Sequence, residues 1–371
     1  MKITFPHMGT LSIILETLLT GAGWAVLPPP AGGRTTCELG ARYSPETVCL
    51  PFKQSLGNFI QALEAGADTI ITCGGLGPCR LGYYPEIQRE ILLELGYRFD
   101  LIVVEPTPAS AWRAARRIAA AGGWRQTWQA FRLAAAKLTA LDAIERQACF
   151  HRPRAAAPDE VDGLARAAVA AVAAADRPDV VLAAATDCRR RLARLPARPG
   201  QPLRLGLVGE IYVTLEPLVN QDIVRRLGHL GAEVRHTMLL GDYVRGHLLK
   251  QKAATAELAE VLRLAGPYLG HSVGGHGVKS VGNAVRLARA GFDGIIQLFP
   301  FTCMPEVIAK NILPAVSAAE GIPVLSLAVD EQTGDAGLVT RLEAFLDLLE
   351  YRRRQKGHRQ ETIAAVPKEI R

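Results

Sequence analysis

Short apolar runs alternate with amphipathic stretches along the first hundred residues, a pattern typical of a parallel sheet covered by helices. The apolar runs predict strands over residues 2–5, 24–27, 69–72 and 101–104. The amphipathic stretches predict helices over residues 11–19, 56–65 and 85–95. Gly66 and Gly96 follow two of these helices, at the position where a helix end favours glycine. We therefore expect a first α/β domain over residues 1–108.

The pattern changes after residue 108. Alanine and arginine dominate residues 109–200 and turn signals are sparse, which predicts a helical insertion or bridge. A linker rich in proline and glycine ends this segment at residues 196–200. Alternation then resumes over residues 201–354, which predicts a second α/β domain, and residues 355–371 are charged and predict a flexible tail.

Within the second domain the pattern predicts strands over residues 205–208, 233–234, 294–298 and 323–327, and helices over residues 218–230, 305–319 and 338–351. The pattern in both halves thus predicts the same kind of domain, an open sheet of parallel strands covered by helices. The expected fold class is α/β, with two flavodoxin-like or Rossmann-like open parallel-sheet domains and a helical middle segment.

Composition supports a globular chain without a nucleic-acid or membrane partner. With 371 residues, 49% of them hydrophobic, the chain can bury two cores. The net charge of +7 is spread along the chain and aromatic residues make up only 6%, so stacking platforms for nucleic acid are few. The apolar stretch at residues 11–27 contains Glu16 and runs into Pro28, which favours a buried helix and strand over a membrane span or secretory leader.

The seven cysteines are an odd number, which argues against a disulfide framework. Without a secretory leader they predict free thiols or metal ligands in a reducing compartment, so we expect a cytoplasmic protein. Three of them, Cys49, Cys79 and Cys303, lie beside predicted strand ends or helix starts, where open α/β sheets place their sites. Each has a proline within two residues. We expect the helix start at Cys303 to lower the pKa of its thiol.

Spacing alone does not decide between metal ligands and buried core thiols, because cysteine is among the most buried residue types. No CxxC pair is present, so neither a zinc ribbon nor a ferredoxin run is indicated. Backbone amides near Cys79 could donate to cluster sulfides; they belong to Gly74, Gly75 and Gly77. Another glycine-rich turn predicts either an anion-binding nest, for a group such as a CoA phosphate, or a tight turn before a helix, and comprises Gly274, Gly275 and His276.

Several polar residues are weaker candidates. Glu210 and Tyr212 follow a predicted strand, and Glu306 follows Cys303 closely, so these three are candidate proton donors; the alternative is that they are solvated loop residues. Lys53 and Arg80 lie near proposed ligands and would balance the negative charge of a thiolate-ligated cluster, or else make ordinary surface pairs.

Long strings of the sequence resemble a known family. They are SPETVCLPFKQSLGNFIQALEAGADTI, GGLGPCRLGYYPEIQREIL, GEIYVTLEPLVNQDI, VGGHGVKSVG, LFPFTCMPEVIAKNILPAVS and LAVDEQTGDAGLVTRLEAFLDLLE. These strings resemble proteins described as CoA-substrate-specific enzyme activase-related, a group similar to the cluster-carrying subunits of 2-hydroxyacyl-CoA dehydratases and benzoyl-CoA reductases. The resemblance extends from residue 1 to about residue 354, except for the alanine-rich middle.

The resemblance implies a 4Fe-4S cluster, or a larger fused one, held by Cys49, Cys79 and Cys303. Cys73 departs from the family pattern and is a reserve ligand. The remaining cysteines match no motif and are expected to be structural; they are Cys37, Cys149 and Cys188. The chain has no Walker-type phosphate loop, so it resembles the electron acceptor of an ATP-dependent activase and not the activase itself.

Three functions remain open from the sequence. The first is a reductase or dehydratase component of anaerobic metabolism that receives low-potential electrons from the activase and acts on an acyl-CoA or another small molecule. The second is a non-catalytic electron carrier or cofactor-maturation protein. The third is a scaffold without a cluster. A homodimer, or a heterodimer with a related subunit, is compatible with each of them.

Overall fold

We analysed a computed structural model of the chain, which describes residues 2–75, 77–248 and 251–365. For residues 247, 248, 335 and 356–365 it describes the backbone alone. In these ranges, no helix is both long enough and apolar enough to cross a membrane.

Two four-stranded sheets, both entirely parallel, form the centre of the fold. The first contains β1 (Lys2–Thr4), β2 (Ala25–Val26), β3 (Thr69–Cys73) and β4 (Asp100–Val104), in the order β2-β1-β3-β4. The second contains β5 (Leu203–Gly209), β6 (Ala232–His236), β7 (Gly294–Pro300) and β8 (Val324–Val329), in the order β6-β5-β7-β8. Both orders follow the flavodoxin-like sequence of strands, so the predicted fold class is confirmed.

Helices cover the sheets and form the middle segment. The first half contains α1 (Leu11–Gly21), α2 (Arg34–Tyr43), α3 (Leu50–Glu64), a 3₁₀ turn (Arg80–Tyr83) and α4 (Tyr84–Glu94). The middle segment contains α5 (Pro108–Ala119), α6 (Gly123–His151), α7 (Pro158–Ala174) and α8 (Pro178–Leu192). Its helices pack on α1 through an apolar cluster that includes Ile14, Leu141 and Val172. The middle segment is therefore helical, as predicted, whereas the division of the chain into domains stays a prediction.

The second half contains α9 (Ile211–Leu215), α10 (Pro217–Asn220), α11 (Ile223–His229), α12 (Leu240–Tyr243), a π turn (Val244–Leu248), α13 (Lys252–Ala265), α14 (Gly277–Arg289), α15 (Met304–Glu320) and α16 (Asp335–Ala365). Its sheet is buried on both faces by apolar residues such as Leu205, Ile295 and Leu298. Such burial is typical of parallel sheets covered by helices.

One sequence prediction in this half is wrong. The continuous helix over residues 218–230 is interrupted, because Gln221 and Asp222 both take a left-handed conformation with φ of 56°. The backbone of α16 continues to Ala365, and the flexible tail over residues 355–371 stays a prediction. Residues 366–371 lie outside the described part of the chain.

Hydrogen bonds join the two halves beside the carboxyl ends of their strands. Thr302 Oγ1 donates to the backbone oxygen of Val48 at 3.0 Å. Glu216, which is 1% exposed, lies 2.8 Å from the His7 ring nitrogen and accepts from the backbone nitrogen of Gly9 at 2.7 Å. A buried carboxylate with such partners is costly to disrupt, so it fixes the relative placement of the two halves.

Candidate metal centre

Three cysteines begin three different helices. Cys49 directly precedes α3, Cys79 precedes the 3₁₀ turn that follows β3, and Cys303 precedes α15, which follows β7. The backbone of each cysteine is extended, and Pro51 and Pro305 occupy the first turns of α3 and α15, where proline needs no hydrogen-bond donor. The sequence therefore places all three thiols at helix starts, two of them after central strands of the sheets.

The structure brings the three cysteines together across the two halves. Thr302 and Val48, which bond to each other, are the immediate neighbours of Cys303 and Cys49. A Cβ added at Gly275 would lie 3.8 Å from Cys79 Sγ and 3.1 Å from Pro305 Cγ. Charge on Cys79 acts on Cys49, and charge on Cys49 acts on Cys303, so the thiols share one electrostatic environment.

The spacing of the sulfurs is wider than a single tetrahedral ion requires. Cys49, Cys79 and Cys303 form no group whose ligand atoms all lie within 4.8 Å of one another, although all three belong to the described residues. Thiolates on one zinc ion would lie about 3.8 Å apart, whereas thiolates on a cubane lie about 6 to 7 Å apart. The wider spacing is compatible with a cluster, and the sequence-based expectation of sulfurs within about 7 Å stays a prediction.

All three thiols are held in the protonated form when no metal is bound. Burial, with the charges of Glu210 and Cys79, raises the pKa of Cys49 to about 11. Burial and Glu210 also raise the pKa of Cys79. The predicted lowering at Cys303 is wrong, because burial and the charges of Glu210 and Glu306 raise the pKa of that thiol despite its position at the start of α15. Grouped thiols of this kind become good ligands once a cation compensates their charge.

Glu210 lies at the centre of this environment, because its charge acts on Cys49, Cys79 and Cys303 alike. Its carboxylate accepts hydrogen bonds from the backbone nitrogens of Tyr212 and Val213, both at 3.0 Å, and so begins α9. Burial raises the pKa of Glu210 to about 7. A carboxyl with this pKa can both hold and release a proton near neutral pH.

Glu306 is a second carboxyl beside the cysteines. It is fully buried, accepts from Ser280 Oγ at 2.9 Å and from Gln297 Nε2 at 2.8 Å. Burial raises the pKa of Glu306 to about 7, and the charge of Glu210 adds to that effect. Both hydrogen-bond partners come from the second half, so Glu306 also anchors the start of α15 there.

Tyr212 and Cys73 have other surroundings. Tyr212 is buried, its hydroxyl has no hydrogen-bond partner, and the charges of Glu216, Glu210 and Cys37 add to the effect of burial in raising its pKa. Cys73 is exposed at the end of β3, and its charge contributes to a raised pKa of Tyr243. A proton-donor role for Tyr212 and a ligand role for Cys73 stay predictions.

The predicted glycine donors near Cys79 are only partly suited to the role. The amide of Gly74 already donates to the Val104 carbonyl at 3.1 Å, so it is not free to donate to a cluster sulfide. Gly75 is half-buried and Gly77 is exposed with φ of 90°. Leu76, between them, lies outside the described residues.

The turn at residues 274–276 approaches Cys79 closely. The backbone nitrogen of Gly274 donates to Ser272 Oγ at 3.3 Å, and a Cβ at Gly274 would lie 2.7 Å from the Cys79 nitrogen. Gly274 and Gly275 have φ of 82° and 50°, which glycine adopts readily. His276 begins α14. The contacts indicate that these glycines let the turn pack against a proposed ligand, and they do not indicate a nest open to a CoA phosphate.

The two candidate counter-charges differ. The charge of Arg80 lowers the pKa of Cys79, in opposition to the larger effect of burial, and its guanidinium donates to the Thr47 carbonyl. Lys53 is buried and pairs with Glu331 Oε1 at 2.6 Å. Arg80 thus remains close to a proposed ligand, whereas Lys53 forms an ion pair between the two halves.

Sequence reasoning missed Tyr84. Its hydroxyl forms a short hydrogen bond with Cys49 Sγ, and its ring packs edge-on against Phe52 with 5.0 Å between centroids. Tyr84 is 7% exposed and is the first residue of α4, directly before Pro85. Tyr84 lies in the same family-like sequence segment as Cys79, which could have marked it as a candidate. Its contact with Cys49, in contrast, is visible only in the folded structure.

We expect Tyr84→Phe to retain iron while shifting the reduction potential of the protein to a more negative value. A hydrogen bond to a ligand sulfur stabilises the reduced, more negative state, and phenylalanine removes that bond while keeping the ring. Tyr83→Phe is the matched control, since Tyr83 is 70% exposed. Potentials come from an anaerobic redox titration followed by EPR, and equal potentials for the two variants would refute the role of Tyr84.

The chain was compared with protein-family models and with curated proteins. No protein-family model matches the chain, and no curated protein matches it significantly. The candidate metal centre therefore rests on the sequence and on the geometry described above.

Proposed function

We propose that the chain is an iron-sulfur protein of the 2-hydroxyacyl-CoA dehydratase-like type, which accepts low-potential electrons from an ATP-dependent activase and delivers them to a substrate. The observation that carries this proposal is the convergence of Cys49, Cys79 and Cys303, which begin three separate helices and share the charge of Glu210. The resemblance of the strings around these cysteines to cluster-carrying subunits points in the same direction.

The residues fit a 4Fe-4S cluster in two respects. They supply three soft thiol donors, which iron-sulfur clusters prefer. Their sulfurs do not all lie within 4.8 Å of one another, as thiolates on one tetrahedral ion would. A cluster held by Cys49, Cys79 and Cys303 would supply low-potential electron transfer.

The residues of the chain would control protons and access. Glu210 and Glu306, both with a pKa raised to about 7 by burial, can hold a proton beside the thiols. Tyr84 donates to or accepts from Cys49 and thereby tunes that ligand. Thr302 and Val48 hold Cys303 against Cys49 across the two halves, so the integrity of the centre depends on the closed arrangement.

An electron-carrier function is the second candidate, and one observation favours it. The cavity lined by Gly209, His276 and Ser280, among others, has room for about one water molecule. Ser280 also donates to Glu306, which closely follows Cys303 in the sequence. An acyl-CoA or a similar substrate needs far more space than this cavity offers.

The free cysteines bear on the compartment, and the absence of a phosphate loop and the net charge bear on the partner. All seven cysteines are free thiols, which supports a reducing, cytoplasmic environment under anaerobic conditions. The sequence lacks a Walker-type phosphate loop, so the energy for a low-potential electron would come from the activase. The net charge of +7 would favour an acidic docking face on that partner, with association weakening as salt increases.

The test mixes the anaerobically purified chain with an activase from the same class of system, ATP and a reductant, and follows reduction by EPR. We expect reduction only when activase and ATP are both present. Reduction that proceeds equally well without either would favour the electron-carrier function. Nucleotide binding by this chain alone, measured by calorimetry, would contradict the proposed division of labour.

A further inference from the structure

A second group of metal-ligating side chains lies far along the sequence from the three cysteines. Glu145 and Cys149 are four residues apart on α6 and so share one helix face. His236 is the last residue of β6, the edge strand of the second sheet. The ligand atoms of these three residues all lie within 4.8 Å of one another.

The distances between the ligand atoms fit a shared ion. Glu145 Oε1 lies 3.4 Å from Cys149 Sγ and 3.5 Å from His236 Nε2. Ligand atoms around a tetrahedral zinc ion are separated by about 3.3 to 3.7 Å. A nitrogen-oxygen distance of 3.5 Å is, in contrast, long for a hydrogen bond.

Burial adds an independent observation. His236 is 8% exposed, and its Nε2 is buried without a hydrogen-bond partner. Buried polar atoms almost always have a partner. An unpartnered ring nitrogen beside a carboxylate and a thiol therefore indicates a bound partner such as a metal ion. Cys149 is 5% exposed, whereas the Glu145 side chain is 42% exposed, so the group meets solvent at Glu145.

The charges nearby are compatible with a divalent cation. Arg152, whose charge acts on Glu145 and Cys149, is buried and pairs through Nε with Asp162 Oδ1 at 2.6 Å, so its charge is compensated. A carboxylate from Glu145 and a thiolate from Cys149 would then balance two positive charges, while His236 binds as the neutral ring. A second acidic group, Asp159, Asp162 and His229, is less suitable because Asp162 already serves Arg152 and His229.

We propose that Glu145, Cys149 and His236 form a zinc site that fastens α6 of the middle segment to β6 of the second sheet. Imidazole, thiolate and carboxylate are the ligands that zinc takes in proteins, and three protein ligands leave one position for water. Binding displaces the thiol proton of Cys149 and leaves the ring of His236 neutral. The two ligands on α6, Cys149 and Glu145, precede His236 by 87 and 91 residues in the chain, and the site is independent of the three-cysteine centre.

Metal analysis of the full chain tests the site. We expect about one zinc per chain by mass spectrometry after anaerobic purification from zinc-supplemented cells and removal of any tag. Cys149→Ser and His236→Gln should each lower that value at least tenfold. Cys188→Ser is the matched control, because Cys188 is an equally buried helical cysteine, at 3% exposure, outside any ligand group. Equal zinc in all these proteins would overturn the proposal.

A second measurement keeps the test decisive if those variants do not fold. The chain that carries Cys49→Ser, Cys79→Ser and Cys303→Ser together lacks the three thiols of the other centre. Any zinc that it holds therefore reports on the site at Glu145, Cys149 and His236, and its loss of iron reports on the cluster. We expect this protein to keep its zinc and, after cobalt exchange, to show a thiolate-to-cobalt charge-transfer band together with a higher melting temperature than its metal-free form. Absence of both zinc and the cobalt band in this protein would overturn the zinc site without bearing on the cluster.

Discussion

Replacing Cys303 with serine is expected to abolish the cluster, lowering iron from about four atoms per chain to fewer than one. Cys303 is the only proposed ligand from the second half, and its neighbour Thr302 holds it against Val48. With two thiols left, a cubane would lack the ligation that its three-cysteine sites require. Cys49→Ser and Cys79→Ser should have the same effect, measured as iron and acid-labile sulfide after purification without oxygen.

Cys37→Ser is the control for this series, because Cys37 is also buried beside the junction of the two halves but does not begin a helix. We expect it to keep full iron. Circular dichroism should show that all four variants are folded, since serine is close to cysteine in size. Full iron in the Cys303→Ser protein would contradict the assignment of the ligands.

The second large effect is expected at the turn that packs against Cys79. Gly274→Ala should lose most of the iron, because the added Cβ would lie 2.7 Å from the backbone nitrogen of Cys79 and would displace that residue. The backbone at Gly274, with φ of 82°, adds a strain of about 1 to 2 kcal/mol for any other residue. The measurements are iron content and the midpoint of thermal unfolding.

Gly291→Ala separates the two causes. Gly291 has φ of 76°, close to that of Gly274, but a Cβ there would meet nothing within 4 Å. It should therefore lose a similar amount of stability from backbone strain while retaining iron. If both glycine variants keep iron equally, the turn at residues 274–276 is not part of the centre.

The sequence predicted the sheets well because their signal is local. Most strands contain a short apolar run, such as residues 69–72, 101–104 and 294–298, so both sheets have strands at the predicted places and the predicted class. Contacts between distant residues and unusual backbone conformations were harder to predict from the sequence. Nothing in the apolar pattern shows that Gln221 and Asp222 turn left-handed, and no periodicity reports that a tyrosine at the start of α4 reaches Cys49.

Sequence motifs indicated the cysteines of the candidate site, but they did not indicate its electrostatics. Motifs indicated Cys49, Cys79 and Cys303, and the structure brings them into one environment. The helix start at Cys303 was expected to lower its pKa, but a helix dipole contributes only about 1 kcal/mol or less, and burial outweighs it. The burial of Cys303 and the position of Glu210 among the cysteines both depend on the assembled fold. Neither can be inferred from the spacing of residues along the sequence.

Iron and sulfide analysis of the full chain, purified without oxygen and combined with EPR before and after reduction, is the direct test of the proposed cluster. We expect about four iron and four sulfide atoms per chain and an EPR signal of a reduced 4Fe-4S cluster. The chain carrying serine at positions 49, 79 and 303 should contain neither iron nor sulfide. A wild-type chain that holds no iron even after anaerobic reconstitution, or iron that persists in the triple variant, would contradict a cluster at these cysteines.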